Sequence, residues 1–97
     1  MADRPDRFDL RVIGANPFRD RARLELAVPA RAAVDVRVHD VRGALVRTLV
    51  RGSFEPGRHP LVWDGRDQTG HQAGSGMYFV RLASGREVLT VRLALVQ

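Results

Sequence analysis

Apolar and polar residues alternate one for one along most of this chain, and that period limits what it can fold into more than any other feature. Leu24, Leu26 and Val28 alternate with Arg23, Glu25 and Ala27 before Pro29 stops the run. Val34, Val36 and Val38 alternate with Asp35, Arg37 and His39, and Tyr78, Val80 and Leu82 with Phe79 and Arg81. Leu89, Val91, Leu93 and Leu95 alternate with Thr90, Arg92 and Ala94, while Leu61 and Trp63 share one face of a shorter run. Side chains on a strand point alternately to its two faces, so each pattern describes a strand with one buried and one wet side.

Residues 44–51, Ala-Leu-Val-Arg-Thr-Leu-Val-Arg, break the period. Leu45, Val46, Leu49 and Val50 fit a helical stripe as well as a bulged strand. The neighbours favour a strand, because Asp40-Val41-Arg42-Gly43 is a tight-turn signal after the preceding strand and Gly52 follows the segment. Seven strands are predicted, over about 8–13, 22–28, 33–40, 44–51, 58–63, 76–83 and 86–96. Turn signals separate them at near-regular spacing and no helix of useful length is left over, which is the pattern of an all-β sandwich. Residues 1–7 are polar and are expected to form a disordered leader, either the tail of a linker or an artificial start. Residues 8–97 are expected to form a single domain, as the length of 97 residues suggests.

The segment from Trp63 to Leu82 is the most distinctive. A strand ends on the only tryptophan, a tract rich in Gly, Asp, Gln and Ser follows, and an aromatic strand resumes at Met77. Gly65, Gly70, Gly74 and Gly76 mark tight turns there. This describes how two strands are joined and holds no reaction chemistry. Trp63 is expected at the centre of the core, where an aromatic buries roughly 150–250 Å². Asp64 is expected to cap the loop after it, Pro17 to set φ in the turn between the first two strands, and Pro29 to end the second.

Composition removes several classes of function. There is no cysteine, so disulfides, thiolate metal sites and thiol catalysis are excluded. All sixteen basic residues are Arg, so neither a Lys Schiff base nor a Lys–Asn isopeptide crosslink can form. No run of apolar residues is long enough to span a membrane as a helix, and the first fifteen residues lack the apolar region of a signal peptide. Asp64-Gly65-Arg66-Asp67 puts carboxylates in a Gly-rich loop, but the spacing departs from the calcium-loop template, so no metal or other cofactor is expected. His39, His59 and His71 are scattered. Ser75 lies between glycines ahead of a strand, where a nucleophile elbow requires a helix. No catalysis is expected. The net charge of +5 raises nucleic acid, yet the arginines are spread over every strand and loop, and Phe54 and Phe79 are the only candidate stacking rings. Specific nucleic-acid binding is therefore not expected.

A family resemblance rests on Asn16-Pro17-Phe18, Leu24-x-Leu26-x-Val28-Pro29, Val36-x-Val38-His39-Asp40-x-x-Gly43 and Leu49-Val50-x-Gly52. It continues through Pro56-Gly57-x-His59-x-Leu61-x-Trp63-Asp64-Gly65-Arg66-Asp67-x-x-Gly70 and Ser75-Gly76-x-Tyr78-Phe79-x-Arg81-Leu82. From about residue 10 to the end the chain resembles the FlgD-like immunoglobulin-like domain, a family that shades into the type A C-terminal sorting domains of the type IX secretion system. The resemblance implies a seven-stranded immunoglobulin- or fibronectin-III-like sandwich at the C-terminus of a larger secreted or cell-surface bacterial protein. It implies no catalysis, and partners among parent-protein domains or secretion machinery. The sorting branch often ends in a Lys-rich strand, whereas Val91–Gln97 carries one Arg and no Lys.

The strand order implied by the resemblance puts strands 33–40, 76–83 and 86–96 side by side. Arg37, Arg81 and Arg92 then share an exposed face with Phe79, a candidate surface for an acidic partner or else a merely solvated one. The alternative reading is a self-associating structural or adhesive subunit that pairs through the sandwich's edge strands.

Overall fold

The computed structural model of the chain describes residues 5–97. Seven strands follow one another: β1 (Asp9–Val12), β2 (Ala22–Val28), β3 (Ala32–His39), β4 (Leu45–Phe54), β5 (Gly57–Trp63), β6 (Gly76–Ser84) and β7 (Glu87–Leu95). One sheet has the order β1-β2-β5 and the other β4-β3-β6-β7, with every pair of strands antiparallel. The expected seven-stranded, immunoglobulin-like sandwich is what forms. Of the leader expected over residues 1–7, residues 1–4 lie outside the described residues; Pro5 is buried, and Asp6 and Arg7 are exposed.

The core follows from the period of two. β2 gives Leu24, Leu26 and Val28, β3 gives Val34, Val36 and Val38, and β6 gives Tyr78, Val80 and Leu82. Leu61 and Trp63 from β5 and Leu93 and Leu95 from β7 complete the layer between the sheets. A slip of one residue in any ladder would turn its apolar set to water, so the registers Val36↔Leu82 and Val38↔Val80 are fixed by burial.

β4 departs from the predicted 44–51 by running on to Phe54. Its end is set by its partner: Ala32, Ala33 and Val34 of β3 face Phe54, Ser53 and Gly52. The ladder also shifts register between Val36 and Arg37 and between Val38 and His39. These irregularities explain the doubled apolar pairs. Each adds a residue to β4 and re-aims its side chains, so that Val46, Leu49 and Val50 all pack partly buried against the core.

Both edges of the four-stranded sheet are partly closed by residues far away in sequence. On β7, the Asn16 side chain accepts the Ala94 N–H at 2.9 Å and donates to the Arg92 carbonyl at 3.1 Å. Phe18 continues the line, donating its N–H to Ala94 and accepting that of Val96, both at 2.9 Å. On β4, the Gln68 N–H reaches the Val46 carbonyl, and its side-chain oxygen accepts the Thr48 N–H, again at 2.9 Å. Each amide side chain stands in for a strand and occupies backbone groups that would otherwise invite another chain.

Candidate functional site

Two surfaces follow from this framework: the loop between β5 and β6, and the outer face of the four-stranded sheet. The loop is built around Trp63. Its side chain is fully buried between Phe18, with ring centroids 5.6 Å apart, and Tyr78, at 5.0 Å and nearly edge-on. Such tilted contacts suit the aromatic quadrupole. The indole N–H donates to the Arg66 carbonyl at 2.9 Å, so the ring that fills the core also holds the loop. The Tyr78 hydroxyl donates to the Gly74 carbonyl at 2.6 Å, holding the loop's other end, and burial pushes its pKa up. A tyrosine that reaches back to the backbone just upstream is a recurrent device of immunoglobulin-like sandwiches.

Within the loop the carboxylates serve the backbone. Asp64 accepts the Arg66 N–H at 3.0 Å. Oδ1 of Asp67 accepts the Thr69 N–H and hydroxyl and the His71 N–H. The Thr69 hydroxyl is the main reason the Asp67 carboxyl sits below its ordinary 3.8. Gly65 turns the chain at φ +76°, directly beside Leu95 and Phe18, and Gly70 turns it again at +92°. Asn16 and Pro17, joined by a cis peptide bond, lead into Phe18, and Gly76 opens β6. Asn16, Pro17, Phe18, Trp63, Asp64, Gly65, Asp67, Gly70, Gly76 and Tyr78 thus gather at one end of the sandwich, around a buried ring stack. Gln68, which sequence reasoning passed over, belongs with them; an isolated amide between Asp67 and Gly70 carries no periodic signal. No cluster of His, Asp or Glu able to hold a metal ion occurs among the described residues.

The outer face of the four-stranded sheet carries the second surface. Arg37 stands directly opposite Arg81, and Phe79 opposite Arg92 and His39. Arg37, Phe79, Arg81 and Arg92 are therefore brought onto one face. They are not equivalent. Arg37 binds Asp35 through two nitrogens, both at 3.0 Å, whereas Arg81 and Arg92 have no carboxylate within ion-pair distance among the described residues. Shallow grooves flank Arg81, one of about 140 Å³ beside Asp35 and Arg37 and one of about 320 Å³ lined by Val41, Phe79 and Thr90. The opposite sheet contrasts. There Glu25 lies between Arg11, at 2.8 Å, and Arg58, at 3.3 Å, and Arg11 above all holds its carboxyl below the ordinary 4.5. No helix among the described residues is long and apolar enough to cross a membrane.

Comparison with known proteins decides the family. The FlgD Ig-like domain profile matches residues 16–93, well over half of the chain. The chain belongs to the FlgD Ig-like domain family. No curated protein matches it. Among solved structures it resembles dimeric latent PorU from Porphyromonas gingivalis, with 19% identity over 93% of this chain and 9% of PorU, at a TM-score of 0.72. It also resembles PorZ, a surface component of the type IX secretion system of the same organism, with 21% identity over 95% of this chain and 12% of PorZ, at 0.58. FlgD from P. aeruginosa is 25% identical over 89% of this chain and 64% of FlgD, at 0.61. The chain spans about a tenth of PorU and PorZ and just under two thirds of the FlgD chain. FlgD-type Ig-like domains are a non-catalytic fold family.

Proposed function

We propose that residues 8–97 act as one non-catalytic, C-terminal accessory and sorting module of a larger secreted or cell-surface bacterial protein. The module works through protein–protein contacts with its parent's other domains or with export machinery. The observation that carries this reading is the family match over residues 16–93, together with the small share of PorU and PorZ that the same fold occupies. The uncompensated basic face of Arg81, Arg92 and Phe79, with Arg37 at its border, supports contact with an acidic partner, because charge complementarity speeds encounter and rejects wrong partners.

The test is export. A fluorescent protein is fused ahead of residues 1–97 and expressed in a bacterium with a type IX secretion system, beside a working sorting domain as control. Export to the surface or medium is the expected result. Retention of the fusion while the control is exported overturns the sorting role.

A further inference from the structure

β7 has one edge paired with β6 from Glu87 to Leu95, and another that is finished only at its C-terminal half. The bonds from Asn16 and Phe18 identify the backbone groups that point away from β6, namely those of Arg92, Ala94 and Val96. Direction alternates along a strand, so both backbone groups of Val88 and Thr90, and the N–H of Arg92, point the same way. Among the described residues no strand pairs with them, although β1 packs close alongside β7.

Burial follows the coverage. In the covered half Leu93 and Leu95 are 0% and 2% exposed, whereas Leu89 and Val91, on the same inner side, are only half-buried, and Val88 is 49% exposed. The outer side of this stretch carries Arg92, with Arg81 opposite Thr90, and neither has an ionic partner among the described residues.

We propose that the open stretch of β7, Val88 to Arg92, accepts an extended acidic segment of a different protein as an added strand. This rests on the accessory-module reading above and names its partner's chemistry. The segment alternates apolar residues, which cover Leu89 and Val91, with carboxylates, which meet Arg92 and Arg81; main-chain bonds supply affinity and the alternating side chains specificity. Asn16 ends the slot and sets the register. A second copy of this chain is the poorer occupant, because it would bring another Arg92 to the seam on a chain of net charge +5.

The test uses the whole 97-residue chain, labelled for amide hydrogen exchange and NMR. The probe is a capped heptapeptide alternating Glu and Val, with a Lys-for-Glu peptide as control. Slower exchange at the amides of Val88, Thr90 and Arg92 with the Glu peptide alone is expected. Thr90→Pro removes an N–H that the β6 ladder does not use and obstructs the added strand; binding should weaken about tenfold or more. Arg92→Glu, which keeps the backbone intact, should weaken the Glu peptide about tenfold and favour the Lys peptide. No binding at millimolar peptide, equal binding of both peptides, changes confined to other strands, or protection of these amides by self-association without peptide would each overturn the proposal. Normal export of a Thr90→Pro fusion alongside a failed probe removes the edge and leaves the module's role. A bound probe with no export does the reverse.

Discussion

Trp63 donates its indole N–H to the carbonyl of Arg66, three residues further along the chain, at 2.9 Å. One side chain therefore fills the core between Phe18 and Tyr78 and fixes the start of the loop that closes the β4 edge. Core and loop stability are coupled through it.

Replacing this ring should show both parts. Trp63→Ala should cost about 3–5 kcal/mol, the range for large aromatic deletions in a core. Against a total of roughly 5–15 kcal/mol, that leaves the domain marginal or unfolded. Trp63→Phe keeps most of the apolar volume but strands the Arg66 carbonyl, and should cost less than the Ala variant. Urea denaturation followed by circular dichroism checks both. An unchanged midpoint for Trp63→Ala would contradict the central position of the ring.

Tyr78→Phe isolates a single hydrogen bond, because the ring against Trp63 is kept while the 2.6 Å bond to Gly74 is lost. A loss of about 0.5–1.5 kcal/mol is expected. Chemical denaturation at neutral pH measures it, and exchange at Ala73, whose N–H bonds the Gly65 carbonyl, should quicken as the loop loosens.

Asn16→Leu removes the surrogate strand from β7 without removing Phe18. The amide of Ala94 loses its 2.9 Å acceptor and the carbonyl of Arg92 its donor. A cost of about 1–3 kcal/mol is expected for two bonds at an exposed edge, where water partly replaces them. Hydrogen exchange should speed at Ala94 while the β3–β6 ladder stays protected. A concentration-dependent rise in mass by light scattering would show that the uncovered edge recruits another chain.

Acid should weaken the fold through three carboxyls. Asp67 is held below 3.8 chiefly by Thr69, Asp40 below 3.8 chiefly by the Ala44 N–H, and Glu25 below 4.5 chiefly by Arg11. In each case the native state binds its proton less readily than the unfolded chain does. The stability they contribute is complete above those ordinary values and drains away as pH falls through the lowered ones. Urea midpoints should thus be level at neutral pH and fall below about pH 4.5. Asp67→Asn should flatten part of that slope, and an identical slope would remove Asp67 from the acid response.

The strands were legible in the amino-acid order because burial on one face writes itself as a period of two, and β2, β3, β6 and β7 repeat it long enough to be unambiguous. The ring at the core was legible for a related reason: a lone Trp ending an apolar strand face has few other places to go. Asp64 and Asp67 were legible as loop residues, since short carboxylates close turns on their own backbone. All of these are local relations, decided within a few residues.

What tertiary structure alone decided lies between residues far apart. β4 continues to Phe54 because β3 offers it Ala32 and Ala33, and no local signal at Gly52 can report the length of a partner strand. Asn16 closes the β7 edge and Gln68 the β4 edge through single amide groups, which leave no periodic trace. The pairing of Arg37 with Asp35, while Arg81 directly opposite has no carboxylate partner among the described residues, exists only once β3 and β6 lie side by side. Alternation states which face of a strand is buried. Which strand lies beside it, and which half of an edge stays open, is set by closing the whole sandwich around one core.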